Sequence, residues 1–351
     1  MKAMMHRKMF SPSLSKAVAC LLLLLPFVFS CSFSGKIDEQ KTCKVSRPSM
    51  YTVVSITVVS KPGVEAAKPV DAVFAELDRL ASLMNFYSED SEISQINRQA
   101  GIAPVRVSKD TFEVIERSVY TSGMTDGAFD ITVGPLVKLW DMQKKIVPEK
   151  KTIEETMKTV GYKNIILDKA ASTVFLRKKG AQIDLGGILK GYAADRGIDI
   201  LKQSGITSAI VAVGGEVRAI GKRQDGLPWV VGIQNPRQKG ANDEIIATME
   251  LSDKATSTSG DYNKYFEKDG VRYHHLIDPK TGYPSKFCGS ATIVADNAIT
   301  SDGFSKLYIL GPEKGLAVAK KLGFDAIFVD CNGVITMTDG LKDKIRFVRN
   351  Q

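Results

Sequence analysis

The sequence lacks the short motifs that mark the common nucleotide-binding and hydrolytic sites. It has no G-x-x-x-x-G-K-[ST] phosphate loop and no G-x-G-x-x-G after a strand. It also has no H-E-x-x-H and no G-x-S-x-G. These absences argue against P-loop NTPases, Rossmann dinucleotide-binding domains, zincin metalloproteases and α/β-hydrolases.

Cysteine and histidine are scarce, which weakens any argument for a zinc centre. The chain has five cysteines and three histidines, and their spacing matches no zinc pattern. Cys20 and Cys31 belong to the N-terminal leader considered below. The other three, Cys43, Cys288 and Cys331, allow at most one internal disulfide, and nothing in the sequence requires one.

The basic surplus of the chain is partly a property of its first 30 residues. The formal net charge is +9, but residues 1–30 contain four basic residues and no acidic one. The rest has 44 basic and 39 acidic residues, a surplus of +5. Because no basic run with interleaved aromatic residues occurs there, we do not expect a nucleic-acid partner.

Residues 1–30 have the pattern of an export signal. A basic stretch from Lys2 to Lys16 precedes an apolar run over residues 17–29, which is too short to span a bilayer comfortably. The run ends in V-F-S-C, which resembles the bacterial lipobox, whose cysteine is diacylated and becomes the mature N-terminus. We predict a lipoprotein signal peptide with Cys31 as the lipidated residue; a plain signal peptide or an uncleaved anchor is the alternative.

Lipidation predicts a protein held at a membrane surface. Residues 31–48, rich in Ser, Lys and Gln, are predicted to form a tether, and residues 49–351 to form the folded domain. We expect a lipid-anchored protein of the bacterial cell envelope that faces the periplasm, at the inner membrane.

Hydrophobic periodicity predicts an alternation of helices and strands. An apolar stripe predicts a helix over residues 70–84, a capping-box-like pair at Asp110 and Glu113 starts a second, and residues 188–203 form a third. Further helices are predicted over residues 300–310 and 314–322, and strands over residues 52–59, 208–213, 229–233, 245–251, 290–294 and 326–329.

Long helices among many strands indicate the α+β class. The sequence shows no internal repeat, no low-complexity tract and no linker after residue 50. We therefore predict a single compact mixed α/β catalytic domain with mainly antiparallel sheets and helices, with a two-lobed arrangement as the alternative.

Five polar and glycine-rich clusters, widely separated along the chain, are the candidates for chemistry. The first is Y-S-E-D-S-E-I-S-Q-I-N at residues 87–97, which alone has the composition of a polar loop. The second is T-D-G-A-F-D-I-T-V-G-P-L at residues 125–136. Its small residues around Phe129 let a planar ring approach the backbone; the alternative is a turn followed by a strand.

The third cluster is I-D-L-G-G-I-L-K-G-Y-A-A-D at residues 183–195. A double glycine that opens a helix leaves backbone N–H groups at the positive end of the helix dipole, where a pyrophosphate binds well. Lys190, one turn further, reaches such a phosphate as a point charge. Tight helix packing is the alternative explanation of the same small residues.

The fourth cluster is H-H-L-I-D-P-K-T-G-Y-P at residues 274–284, whose D-P-x-x-G segment predicts a turn. Both histidines of the mature chain lie here, beside Asp278. The fifth is T-S-D-G-F-S-K-L-Y-I-L-G at residues 300–311. Its Asp302 suits either a helix N-cap or the single carboxylate on a Mg²⁺ ion whose other ligands are carbonyls, waters and phosphates.

Taken together, the clusters resemble the ApbE-type FAD:protein FMN transferases, also called flavin-trafficking lipoproteins. The resemblance covers nearly all of residues 48–349 and the leader, and depends on D-S-E-I-S-x-x-N, D-G-A-F-D-x-T-V-G-P-L, I-D-L-G-G-x-x-K-G-Y-A-x-D and H-x-I-D-P-x-T-G as a set. It implies an enzyme that binds FAD with Mg²⁺ and transfers FMN to a Thr or Ser hydroxyl of a target protein, releasing AMP. The implied targets are exported flavoprotein subunits of electron-transfer complexes.

The resemblance also implies roles for individual residues. The implied contacts to flavin or FAD are Met50, Tyr87, Ala128, Phe129, Asp130, Asp184, Lys190 and Leu276. The implied metal ligands are the Gly187 carbonyl, Asp302 and Ser305, with Lys306 as a further candidate.

Three residues are the candidates for catalysis. His275 matches the histidine beside the reaction centre, and an ordinary histidine pKa of ~6.5 suits a general base. Lys190 would add electrostatic stabilisation. Asp278 either orients His275 or only starts the turn.

The sequence departs from the family pattern at three places. The usual M-G-T is M-Y-T at residues 50–52, and the usual M-S-x-Y is M-N-F-Y at residues 84–87. Where the family commonly has D-x-x-A-T, with the threonine hydroxyl on the metal, residues 302–306 are D-G-F-S-K. Because an ammonium cannot ligate Mg²⁺, either Ser305 or a water supplies the oxygen, or Lys306 partly substitutes for the metal by meeting a phosphate.

Two other functions use the same residues. An FAD pyrophosphatase would use water in place of the acceptor hydroxyl and give FMN and AMP. A non-enzymatic FAD-binding lipoprotein would store or deliver FAD, and the lysine at residue 306 is the best argument for it. The sequence favours transfer, provided that the fold brings Asp302 to the double glycine.

Overall fold

The computed structural model describes residues 41–237 and 244–348, in which strands and helices alternate. The strands are β1 (Lys41–Ser49), β2 (Thr52–Ser60), β3 (Val105–Arg106), β4 (Ile165–Asp168), β5 (Thr173–Leu176), β6 (Ser208–Val213), β7 (Glu216–Ile220), β8 (Trp229–Gln234), β9 (Ile245–Leu251), β10 (Ala255–Gly260), β11 (Tyr265–Lys268), β12 (Val271–His274), β13 (Ser290–Ala295), β14 (Asp325–Val329), β15 (Ile335–Met337) and β16 (Ile345–Phe347). The helices are α1 (Ala67–Leu83), α2 (Glu92–Arg98), α3 (Lys109–Met124), α4 (Gly134–Leu139), α5 (Lys150–Met157), α6 (Leu189–Gln203), α7 (Ala298–Ser305) and α8 (Gly311–Leu322).

An eight-stranded sheet organises the fold, with the strand order β1-β2-β6-β7-β10-β13-β14-β15. Smaller sheets have the orders β16-β9-β8, β3-β5-β4 and β11-β12. The named strands pair antiparallel, which confirms the predicted α+β class with mainly antiparallel sheets. The described residues form one compact unit, so the two-lobed alternative is not supported.

The main core forms where helices α1 and α6 pack against strands β2 and β6. The predicted stripe of α1 is buried, with Val73, Leu77 and Leu80 in one cluster with Ile56 and Val211. Each such side chain stabilises the fold by about 1.5–3 kcal/mol when fully buried. The sheet and these helices thus form a rigid base for the loops that follow them.

Helix α3 begins differently from its prediction. The side chain of Ser108, two residues before Asp110, accepts the Thr111 N–H at 3.3 Å and caps the helix. The predicted capping pair of Asp110 and Glu113 is therefore wrong. Asp110 instead accepts a hydrogen bond from the Tyr192 hydroxyl at 2.6 Å, which links α3 to α6.

The predicted helix over residues 300–310 is an α-helix, α7, followed by a 3-10 turn over Lys306–Leu310. Its N-cap is Asn297, whose side chain accepts the Thr300 N–H at 3.0 Å. Asp302 therefore lies inside the helix, which excludes the N-cap role for it.

Part of the predicted tether belongs to the domain. Strand β1 pairs with β2 along its whole length, from Lys41 opposite Ser60 to Ser49 opposite Thr52. The predicted tether boundary at residue 48 is therefore wrong. The side chains of β1, an edge strand, are exposed or half-buried, so its sequence is as polar as that of a tether. The signal peptide, Cys31 and the rest of the tether lie outside the described residues. None of the helices in the described ranges is long and apolar enough to cross a membrane.

Candidate functional site

The third and fifth clusters meet where helices α6 and α7 cross. The backbone N–H of Gly191, in the first turn of α6, donates to the Asp302 carboxylate at 3.0 Å. A side chain at Gly191 would place its Cβ 2.2 Å from the Ala298 carbonyl oxygen, so this crossing requires glycine. The fold therefore brings Asp302 to the double-glycine helix start, as the enzymatic interpretation requires.

Asp195, the last residue of the third cluster, holds the two helices together at a second point. Its two carboxylate oxygens accept the backbone N–H groups of Ala298 and Ile299, each at 2.8 Å, at the start of α7. Burial raises the pKa of Asp195 to about 6. The two hydrogen bonds lower this pKa, but their effect is smaller than that of burial. A carboxylate at a helix N-terminus is favourable because the helix dipole is positive there.

Two lysines and two carboxylates form a largely buried group beside this crossing, in which Lys190 is the most exposed. Lys190 Nζ lies 2.6 Å from Glu216 Oε2, and Lys306 Nζ lies 2.8 Å from Asp302 Oδ1. Burial and the nearby Asp302 raise the pKa of Glu216, whereas the two lysines lower it. Burial lowers the pKa of Lys190, but Glu216 and Asp302 outweigh it and the pKa is raised. We call these four residues the charged quartet.

The ammonium of Lys306 is surrounded by the predicted metal ligands. Besides Asp302 Oδ1, it contacts the Asp302 carbonyl oxygen and Ser305 Oγ, both at 3.1 Å. A Cβ built on Gly187 would lie 3.1 Å from Lys306 Cε. Gly187, Asp302, Ser305 and Lys306 are thus neighbours, but a cation of the protein itself is at their centre.

This arrangement does not fit a resident Mg²⁺ ion. Magnesium requires oxygen ligands in near-octahedral geometry, and a lysine ammonium has no lone pair to offer. One oxygen of Asp302 is bonded to Gly191 and the other to Lys306. In the part of the chain that is described, no group of three or more His, Cys, Asp or Glu side chains is placed to hold a metal. Lys306 is therefore not a metal ligand.

The two neighbouring histidines have different roles. The ring of His274 donates from Nε2 to the Ser285 carbonyl at 2.6 Å and accepts the Leu276 N–H at Nδ1, so both nitrogens are used internally. His275 Nδ1 lies 3.3 Å from the Lys264 carbonyl. Because a carbonyl only accepts, Nδ1 carries the proton and Nε2 keeps a lone pair. Burial lowers the pKa of His275 to about 3, so the imidazole is neutral.

Asp278 starts a turn and does not orient His275. Its Oδ1 accepts the Lys280 N–H at 2.9 Å, and its carbonyl accepts the Gly282 N–H at 2.8 Å. The side chain of Lys280 then binds Asp126 at 2.6 Å, which ties the fourth cluster to the second. Of the two alternatives for Asp278, the turn is the one that the structure supports.

The aromatic and apolar residues predicted to contact flavin differ in place and exposure. Phe129 is close to Gly187, with its Cε2 3.3 Å from a Cβ built there. Tyr87 exposes 71% of its surface and packs edge-on against Phe86, with ring centroids 5.1 Å apart. Burial and the carboxylate of Asp184 raise the pKa of Tyr87. Ala128 and Leu276 are buried in one apolar cluster.

The carboxylates of Asp130 and Asp184 accept hydrogen bonds from nearby loop residues. Asp130 accepts hydrogen bonds from the backbone and hydroxyl of Thr132 and from the Tyr162 N–H, at 2.6–2.8 Å. Asp184 accepts the Gly186 N–H at 2.8 Å and so shapes the double-glycine segment. Burial raises the pKa of both carboxyls. Their predicted contact to FAD stays a prediction, and their observed role is to fix backbone.

Two of the departures from the family pattern contact each other. Met50 and Tyr51 form the turn between β1 and β2 with φ of 51° and 58°, a left-handed conformation that usually favours glycine or asparagine. The Tyr51 hydroxyl accepts from Asn85 Nδ2 at 2.9 Å, and Asn85 Oδ1 accepts the Tyr87 N–H at 2.9 Å. Met50 itself packs against the main core.

Sequence reasoning missed Glu216 and the role of Asn97. Glu216 opens strand β7 directly after the Gly214–Gly215 turn and is buried; its place beside the glycine pair was the available signal. Asn97 ends the first cluster and makes two hydrogen bonds to the backbone of Ile183, at 2.8 and 3.1 Å. This clamp fixes the segment that leads to the double glycine.

Replacing Gly191 by alanine is expected to destabilise the protein by about 1–3 kcal/mol, because overpacking forces α6 and α7 apart. In an exposed helix the same change stabilises by about 1 kcal/mol. Gly123, in α3, is the matched control, because a Cβ there has no neighbour within 4 Å. Urea denaturation of both variants measures the difference, and a Gly191→Ala variant as stable as Gly123→Ala would contradict the close crossing.

His275 is expected to stay neutral well below pH 6 in the FAD-free protein. Burial lowers the pKa of both His274 and His275, the latter to about 3. An unfolded histidine titrates near ~6.5, so the unfolded state binds protons first and the folded state loses stability as the pH falls below that value. NMR titration of the two imidazoles tests this, and a midpoint above pH 6 for His275 would show that its ring is not desolvated.

Comparison with known proteins identifies the family of this α+β domain. The ApbE family model matches residues 50–328, and the chain therefore belongs to the ApbE family. The FAD:protein FMN transferase of Vibrio cholerae is 34% identical over 338 residues, covering 93% of this chain and 95% of that protein. The FAD:protein FMN transferase of Treponema pallidum is 30% identical over 348 residues, covering 94% and 95%.

Solved structures agree with the family assignment. The ApbE protein of Thermotoga maritima matches with a TM-score of 0.81 and 34% identity, covering 87% of this chain and 100% of that chain. The flavin transferase ApbE of Vibrio cholerae matches with a TM-score of 0.78 and 30% identity, covering 87% and 99%. The fold described above is thus the fold of flavin transferases.

Proposed function

We propose that this protein is an FAD:protein FMN transferase, which moves FMN from FAD onto a Thr or Ser hydroxyl of another protein and releases AMP. The observation that carries the proposal is the crossing of α6 and α7, where Gly191 binds Asp302. That crossing assembles two lysines at a double-glycine helix start. The relatives named FAD:protein FMN transferase cover more than nine-tenths of the chain, which supports the same activity.

The diphosphate of FAD is proposed to bind at the start of α6, between Lys190 and Lys306. The positive end of the helix dipole and both ammonium groups favour an anion there. The isoalloxazine ring is proposed to lie against Tyr87 and Phe129, because Tyr87 is exposed and Phe129 adjoins Gly187. Met50 and Leu276 are proposed to complete the flavin contacts.

The reaction is an in-line displacement at phosphorus. The acceptor hydroxyl oxygen forms a bond to the FMN phosphorus, the bond from that phosphorus to the bridging oxygen breaks, and AMP leaves with the electron pair. Such reactions depend mainly on positioning and charge compensation. Lys190 and Lys306 offset the negative charge that develops on the leaving phosphate.

His275 is proposed to take the proton from the acceptor hydroxyl at Nε2. Its Nδ1 is held by the Lys264 carbonyl, so Nε2 is the nitrogen with a lone pair. In the FAD-free site the low pKa keeps the ring neutral and able to accept. The incoming phosphates are negative and raise that pKa, because an opposite charge favours the imidazolium.

The protein is further proposed to act at the periplasmic face of the inner membrane, anchored through lipid on Cys31. The basic start, apolar run and V-F-S-C segment of the leader support this proposal. The acceptor is then an exported subunit of a flavin-dependent electron-transfer complex with a small-residue Thr/Ser motif. A Cys31→Ala variant found in the soluble rather than the membrane fraction would support anchoring through this residue.

The test is to incubate the protein with FAD and an acceptor domain that carries such a motif, and to weigh the acceptor by mass spectrometry. An FMN-sized increment, absent when the acceptor Thr is replaced by Val, is expected. AMP formation without any acceptor would instead indicate an FAD pyrophosphatase. Tight FAD binding with no AMP under any condition would indicate a storage or delivery protein.

A further inference from the structure

The ammonium of Lys306 makes one short contact and two longer ones. The contact to Asp302 Oδ1 is the short one, at 2.8 Å. The two at 3.1 Å go to the Asp302 carbonyl and to Ser305 Oγ, which are already bonded to each other at 2.7 Å. The ammonium can therefore exchange either of these contacts for a phosphate oxygen without leaving an unpaired oxygen behind.

The position of Lys306 directs its charge toward the proposed diphosphate site. Its Nζ lies 3.8 Å from a Cβ built on Gly187, the second residue of the double glycine. Because glycine has no side chain, the lysine side chain can approach the helix start this closely. Lys306 also lowers the pKa of His275, so its charge acts on the proposed base.

A divalent ion at Asp302 would have to displace this lysine. Asp302 is fully buried, and its second oxygen is bonded to the Gly191 N–H. Lys306 has only 13% of its side chain exposed, so its displaced charge would stay near the incoming metal and repel it. Glu216, the other carboxylate of the charged quartet, is already paired with Lys190.

We propose that Lys306 is a built-in cation that replaces a divalent metal at the diphosphate of FAD, so that this protein binds FAD and transfers FMN without Mg²⁺. The transfer half of this inference rests on the proposed function; the binding half requires only that FAD is the ligand. In this arrangement Lys306 and Lys190 contact the two phosphates of FAD. The ion pair with Asp302 fixes the position of Lys306.

The first experiment uses the unmodified protein and measures FAD affinity by fluorescence titration, with EDTA and with millimolar Mg²⁺. The Kd for FAD is expected to agree within about twofold between the two conditions. A Kd at least tenfold weaker in EDTA, restored by Mg²⁺, would overturn the proposal without any variant being made.

The second experiment places the family's usual threonine at this position. Lys306→Thr is expected to bind FAD at least tenfold more weakly in EDTA and to regain affinity with Mg²⁺, because a hydroxyl can ligate the metal. Lys314→Thr, an exposed lysine on α8, is the matched control and is expected to behave as the unmodified protein. Lys306→Arg, which keeps the charge, is expected to remain insensitive to EDTA. Equal EDTA insensitivity in Lys306→Thr would contradict the role of this lysine.

The same samples separate this inference from the proposed function. Transfer that occurs only with Mg²⁺ would support the transferase and refute the built-in cation. EDTA-insensitive FAD binding that depends on Lys306, without FMN transfer to any acceptor, would support the built-in cation and refute the transferase.

Discussion

Replacing Asp302 by alanine is expected to lower the free energy of unfolding by about 3–5 kcal/mol, as is typical when one partner of a buried ion pair is removed. The change leaves the Lys306 ammonium and the Gly191 N–H without their shared partner. FMN transfer is expected to fall below detection, because the crossing of α6 and α7 loses its central bond. Urea denaturation and the mass-spectrometric assay measure the two effects.

Two control variants make the Asp302 result specific. Asp302→Ala combined with Lys306→Met removes both charges and is expected to recover more than half of the lost stability, because no buried charge is then unpaired. Asp296→Ala removes the exposed partner of Lys254 and is expected to cost at most about 1 kcal/mol. If Asp302→Ala were as stable as Asp296→Ala, the buried pair would not exist as described.

Replacing His275 by asparagine is expected to lower kcat for FMN transfer by about 10²–10⁴-fold, the usual contribution of a general base. The Kd for FAD is expected to change little, because the proposed contacts to FAD come from other residues. His274→Asn is the informative comparison: it breaks two internal hydrogen bonds of a buried ring and is expected to lower stability instead, by about 1–3 kcal/mol.

The pH profile separates a chemical role of His275 from a structural one. With FAD bound, kcat of the unmodified protein is expected to fall on the acid side as His275 takes a proton. The His275→Asn variant is expected to lack this acid limb at its lower rate. An unchanged kcat in His275→Asn would remove this residue from the mechanism.

The strongly periodic parts of the fold could be predicted from sequence. The apolar stripe of α1 and the β-branched strand β2 were placed within a few residues, because burial on one face leaves a clear pattern. Strand β1 could not be separated from a tether, because its side chains are half-exposed. The cap of α3 was missed because Ser108 and Asp110 are both good capping residues, and only the tertiary contact of Asp110 with Tyr192 decides between them.

The sequence clusters that form the site could be predicted, but most of the pairings between its charged residues could not. That Asp302 reaches the double-glycine helix start depends on the packing of α6 on α7, which no local pattern gives. The pairing of Asp302 with Lys306 did have a local signal, because residues four apart on a helix are neighbours. Glu216 reaches Lys190 only through the order of the sheet, which places β7 beside β6 and against α6.

For a protein anchored as proposed, the early start of strand β1 would limit how far the domain can lie from the membrane. Lys41 is ten residues beyond Cys31, and an extended chain spans at most about 3.3–3.6 Å per residue. A domain anchored through Cys31, as proposed, would therefore begin at most about 35 Å from the lipid. An acceptor protein would then have to present its hydroxyl within reach of a domain held near the bilayer, so height above the membrane would join sequence in the choice of acceptor.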